Sequence, residues 1–105
     1  MIKQIKSSEI KNYIKENSNV VLLDVRTENE WTMLGKPNAE DLNSKTYFIT
    51  VSPDLSNWQV PDPNFVENVK KNINKDKTIL VMCAAGGRSM IAANLLKAEG
   101  YSVLN

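Results

Sequence analysis

The 105-residue chain contains no histidine and a single cysteine, Cys83. Without histidine, neither a cysteine–histidine dyad nor a serine–histidine triad can operate. Any nucleophile must therefore be activated by dipoles, by backbone amides or by a cation such as Arg88. One cysteine forbids an internal disulfide, and no Cys/His cluster exists to hold zinc, so neither metal nor cofactor is expected. A lone thiol fits a reducing compartment. No apolar run approaches the roughly 20 residues of a membrane span. The first six residues lack the apolar centre of a signal peptide, so a cytoplasmic location without a membrane partner is the expectation. An excess of either charge is missing as well: 13 basic residues face 12 acidic ones, a net charge of +1. That balance argues against nucleic acid as a partner. Lys3, Lys6, Lys11 and Lys15 alternate with Glu9 and Glu16 and read as a solvated face.

What is present is enough for a modest core, since 42% of residues are hydrophobic and 24% charged. One domain over 1–105 is expected at this length. The alternation at 2–6 predicts a short strand. Ser7 and Ser8 are candidate N-caps for a helix to about Glu16. The unbroken run Val20-Val21-Leu22-Leu23-Asp24-Val25 predicts a strand buried on both faces. Thr27 followed by Glu30 fits a capping box, opening a short helix over 28–33. Between 34 and 63 the periodicity weakens, with a strand expected at 46–51. Asp62 and Pro63 read as cap and first residue of a helix carrying Phe65, Val66, Val69 and Ile73 on one stripe. A second buried strand is expected at 78–82, and then a helix over 89–99 with Ile91, Leu95 and Leu96 inward and Gly100 as C-cap. A last strand covers 101–104. Alternating strands and helices imply an α/β fold, a parallel sheet with helices on both faces, in which ligands bind beyond the carboxyl ends of the strands.

Cys83-Ala84-Ala85-Gly86-Gly87-Arg88-Ser89 lies at such an end. A strand that ends in cysteine, turns through glycines and enters a helix aims backbone N–H groups at one point, which stabilises a thiolate. A buried, inert thiol is the plain alternative. Gly86 and Gly87 are read as supplying positive φ for the turn. Arg88 at a helix start opposes the dipole unless it serves a ligand or braces the loop. Asp24, Arg26 and Glu30, at and after the end of the other buried strand, read as supporting groups. The segment Ser52-Pro53-Asp54-Leu55-Ser56-Asn57-Trp58 reads as a surface loop, with a lid or a docking loop as the sharper alternative.

Two motifs, Leu23-Asp24-Val25-Arg26-Thr27-Glu28-Asn29-Glu30-Trp31 and Cys83 to Ser89 with its following helix to Glu99-Gly100-Tyr101, resemble those of single-domain rhodanese-like sulfurtransferases. The resemblance spans nearly the whole chain. It implies a rhodanese-like α/β fold and a persulfide mechanism. Cys83 takes sulfane sulfur from a small donor such as thiosulfate and passes it to cyanide or to an external thiol or protein acceptor. The amides of Ala84, Ala85, Gly86, Gly87, Arg88 and Ser89 cradle the terminal sulfur, and Arg88 binds the donor's oxyanion end or braces the loop. Related phosphatases and arsenate reductases place five residues between Cys and Arg, whereas four stand here, a ring better sized for one sulfur atom than for phosphate. Departures are Leu34-Gly35-Lys36-Pro37-Asn38-Ala39, where the family carries Gly-His-Ile-Pro-Gly-Ala, and the end at Asn105, before the family's usual C-terminal element. These departures leave a second reading, a non-catalytic interaction or regulatory module of the same fold.

Overall fold

The computed structural model describes residues 7–17, 19–35, 46–82 and 87–104. The strand expected at 2–6 lies outside them, as do Cys83, Ala84, Ala85 and Gly86 and the divergent residues 36–45.

Along the chain the elements are α1 (Ser7–Glu16), β1 (Val20–Asp24), α2 (Glu28–Leu34), β2 (Thr46–Phe48), α3 (Phe65–Asn72), β3 (Thr78–Met82), α4 (Gly87–Ala98) and β4 (Ser102–Leu104). The four strands pair in parallel in the order β2-β1-β3-β4. The two continuous apolar runs, β1 and β3, take the centre, where both faces are covered. Side chains alternate across the sheet. Val21, Leu23, Val25, Ile79 and Val81 meet Phe65 and Val69 of α3 and Ala92, Ala93 and Leu96 of α4. Val20, Leu22, Leu80 and Leu104 form a smaller cluster on the other face, with Tyr13 of α1 and Met82 against it. The Tyr101 hydroxyl, buried between α4 and β4, donates to the Ile73 carbonyl at 2.6 Å and ties the end of α3 to the second half of the sheet.

Several boundaries differ from expectation. Ser7 and Ser8 are the first residues of α1 rather than its caps. The strand expected to reach Val51 ends at Phe48. Past that point Ile49 and Val51 still donate to the Asp24 and Val25 carbonyls, so the chain leaves the sheet edge gradually. Asn64, not Asp62, is the N-cap of α3. The Asp62 carboxylate accepts instead from the Asn64 N–H at 2.9 Å, forming an Asx turn that delays the helix. In α4 the residues turned fully inward are Ala92, Ala93 and Leu96, while Ile91 and Leu95 are only partly covered. Small alanines let the helix approach the sheet closely.

Candidate active site

The strand ends place the site. Asp24 and Met82 are paired across β1 and β3, so both central strands finish at one level, and the helices α2 and α4 start from there. The residue after Met82 is Cys83, and four residues, 83–86, link β3 to α4. Cys83, Ala84, Ala85 and Gly86 lie outside the described residues; Gly87, Arg88 and Ser89 form the first turn of α4.

Asp24 is fully buried. Its Oδ1 accepts from the Arg26 backbone N–H at 3.0 Å, and its Oδ2 accepts from Arg26 NH2 at 2.8 Å. Arg26 Nε lies 3.0 Å from both oxygens. The remaining reach of that guanidinium goes to the Gly35 carbonyl at 2.8 Å, where a positive φ of 86° turns the chain out of α2. The Asp24 carboxylate raises the Arg26 pKa above its ordinary value, and burial opposes this. The bridge therefore closes α2 onto the end of β1.

The second ion pair joins the two motifs. Arg88 donates from NH1 to Glu30 Oε1 at 2.6 Å and from NH2 to Oε2 at 2.8 Å, a fork-to-fork contact across 58 positions of sequence. Both side chains are nearly buried, at 9% and 13% exposure. Glu30 is also the third residue of the capping box opened by Thr27. Its Oε1 accepts from the Thr27 N–H at 3.1 Å, while the Thr27 hydroxyl accepts from the Glu30 N–H. The Arg88 hydrogen bonds hold the Glu30 carboxyl at about 2, against the opposing effect of burial and with help from Thr27. Asp24 thus pairs with Arg26 and Glu30 with Arg88, so the carboxylate that braces the start of α4 comes from α2. Ser89, the next residue after Arg88, is buried too.

Gly87 departs from expectation. Positive φ occurs at Gly35 and Gly100 but not at Gly87. Its lack of a side chain serves a close approach instead: a Cβ at 87 would stand 2.9 Å from two atoms of the Trp58 ring. Trp58 lies in the segment expected as a surface loop, and nothing in its sequence position identifies this contact. The available signal was a second glycine beyond what one tight turn needs. The other indole, Trp31, packs edge-on against Phe48 at 5.3 Å between ring centres, joining α2 to β2. Among the described residues no group of three or more His, Cys, Asp or Glu is placed to hold a metal ion. No described helix is long and apolar enough to cross a membrane.

Known proteins share this fold. The model of the rhodanese-like domain family matches residues 7–105. An uncharacterized protein of Rickettsia prowazekii (strain Madrid E) is 35% identical over 103 residues, covering 96% of this chain and 76% of that protein. Among solved structures, Rv0390 from M. tuberculosis superposes with a TM-score of 0.80 at 24% identity, covering 98% of this chain and 77% of that one. A rhodanese-like domain protein from Staphylococcus aureus superposes at 0.70 with 27% identity, covering 99% and 83%.

Proposed function

The chain belongs to the rhodanese-like domain family, a sulfurtransferase-type family, and from that premise we propose that it carries sulfane sulfur as a persulfide on Cys83. The Cys83 thiolate attacks the outer sulfur of a donor such as thiosulfate. A new S–S bond forms, and sulfite leaves with the electron pair of the broken bond. An acceptor, cyanide or an external thiolate, then takes the terminal sulfur, and the pair returns to Cys83 as thiolate. No proton shuttle is needed, which suits a chain without histidine. The amides of Ala84, Ala85, Gly86, Gly87, Arg88 and Ser89 stabilise the terminal sulfur, and Asp24, Arg26 and Glu30 hold the surrounding frame.

The observation that supports this reading most is the Arg88–Glu30 pair. A guanidinium at a helix start is unfavourable on its own. Here a buried carboxylate from the other motif neutralises it, so the helix start following Cys83 is held to the first turn of α2. With Arg88 neutralised, what remains to stabilise a thiolate is the set of amides at the helix start.

The test is direct. The intact protein, treated with thiosulfate, is expected to gain the mass of one sulfur atom and to release thiocyanate on adding cyanide; Cys83→Ser does neither. Alkylation rate against pH should place the thiol below the ~8.5 of a free cysteine. No mass gain together with a thiol at or above that value overturns the reading in favour of a non-catalytic module of the same fold.

A further inference from the structure

The 51–62 loop is more ordered than a connector requires. Val51 donates to the Val25 carbonyl and Asp62 donates back to Val51, at 3.2 and 2.6 Å, so the loop opens and closes against the end of β1. Within it the buried Ser52 hydroxyl donates to the Trp58 carbonyl at 2.6 Å. The Asp54 carboxylate caps the short 3-10 turn Leu55–Asn57 through the Ser56 N–H, and Val60 donates to Asn57. The product of these bonds is one indole with a fixed backbone, its six-membered ring against Gly87 in the first turn of α4.

That indole is not used up as core. Trp58 remains 39% exposed and Val60, two residues on, 57% exposed. A ring seated on the helix that follows Cys83, yet open to solvent on part of its surface, offers an approaching molecule a flat apolar wall. The charges at the strand ends and the start of α4 point the same way. Asp24, Arg26, Glu30 and Arg88 sum to zero, and both guanidiniums already grip carboxylates in two-pronged contacts. A small dianion gains little from cations so occupied, because drawing one away uncovers a buried carboxylate.

The geometry points to Trp58 as the specificity wall of the sulfur-transfer site, selecting sulfur compounds with a flat apolar body: an aryl thiosulfonate as donor or an aryl thiol as acceptor, ahead of inorganic thiosulfate. This rests on the persulfide reading above. With an aryl thiosulfonate the Cys83 thiolate bonds to the terminal sulfur. The bond between that sulfur and the sulfonyl sulfur breaks, and the aryl sulfinate leaves with its electron pair. With an aryl thiolate as acceptor, the terminal sulfur moves to the aryl sulfur and Cys83 returns to thiolate.

Benzenethiosulfonate and methanethiosulfonate carry the same charge and the same reacting atoms, and differ in the ring. The wild-type protein should favour the benzene donor in kcat/KM by about five- to tenfold, the scale of one aromatic contact. Trp58→Ala should bring the ratio within about twofold of one, and Trp58→Phe should restore part of the preference. A wild-type ratio near one, or a ratio unchanged in Trp58→Ala, overturns the inference. If no donor adds sulfur to Cys83, the persulfide reading fails, and the wall is then tested by titrating unreactive benzenesulfinate while following the Trp58 indole N–H resonance, assigned with Trp58→Phe. A saturable shift supports an aromatic-binding wall; an unmoved resonance overturns it.

Discussion

Replacing Glu30 with Gln keeps the side chain's length and removes its charge, which leaves the Arg88 guanidinium buried against a neutral amide. Two routes give the cost. The carboxyl's fall from its ordinary 4.5 to about 2 corresponds to roughly 3 kcal/mol of stability at neutral pH, at about 1.4 kcal/mol per pH unit. Breaking a buried pair by removing one partner costs about 3–5 kcal/mol in general. With the two side chains 13% and 9% exposed, solvent screening takes little from either figure. Because the folded-state value is the lower one, the stabilisation is complete above 4.5 and is lost as pH falls toward 2. About half of it is gone by pH ~3.2. Urea unfolding of the wild type and Glu30→Gln at pH 7 should therefore differ by about 3 kcal/mol, and thermal midpoints by roughly 10–20 °C. The gap should narrow steadily below about pH 4.5. A difference under about 1 kcal/mol at pH 7, or one that stays constant down to pH ~3, refutes the assignment of Glu30 as the buried counter-charge of Arg88.

Two substitutions test the neighbouring contacts. Gly87→Ala puts a Cβ 2.9 Å from the Trp58 ring, and the forced shift should cost about 1–3 kcal/mol. Adding Trp58→Ala should relieve most of that cost, a coupling above about 1 kcal/mol in a double-mutant cycle, whereas strictly additive effects would show that the ring does not fill this space. Thr27→Ala removes the hydroxyl that caps α2 and should cost about 1 kcal/mol in urea unfolding. Because Thr27 also helps to depress Glu30, the acid loss of stability should move to higher pH; an unmoved acid limb would refute that link.

What was legible in the sequence follows from how local its cause is. Both central strands were readable because continuous branched apolar runs have few other uses, and β3 matches its expected bounds. Thr27 and Glu30 announced α2 because a capping box is complete within four positions. Asp62 misled because its carboxylate can close an Asx turn as readily as cap a helix, and here it bonds the Asn64 N–H ahead of the helix that carries buried Phe65. In α4 nearly every position from Met90 to Leu96 is apolar, so the pattern could not choose a face, and close approach to the sheet chose the alanines. Asp24 and Arg26 stand two positions apart in one short motif, so their ion pair is local enough to be expected from sequence. That Arg88 answers to Glu30 and not to Asp24 was invisible, since it depends on how two helices 58 positions apart converge. Trp58 against Gly87 also depends on a long-range approach, of a loop to a helix, and only the second glycine hints at it.

The Asp24–Arg26 bridge has a further role in how the sheet is assembled. Val20 to Asp24 of β1 are all buried, with apolar side chains on both faces. Sliding β1 by one position along β3 would exchange two nearly equivalent surfaces, and hydrophobicity alone penalises such a slip weakly. The bridge supplies the missing penalty, because a slip toward the interior drags its charges in among Val81 and its neighbours, away from the Gly35 carbonyl. The charged pair at the strand's end thus favours one alignment of β1 on β3 over its shifted neighbours.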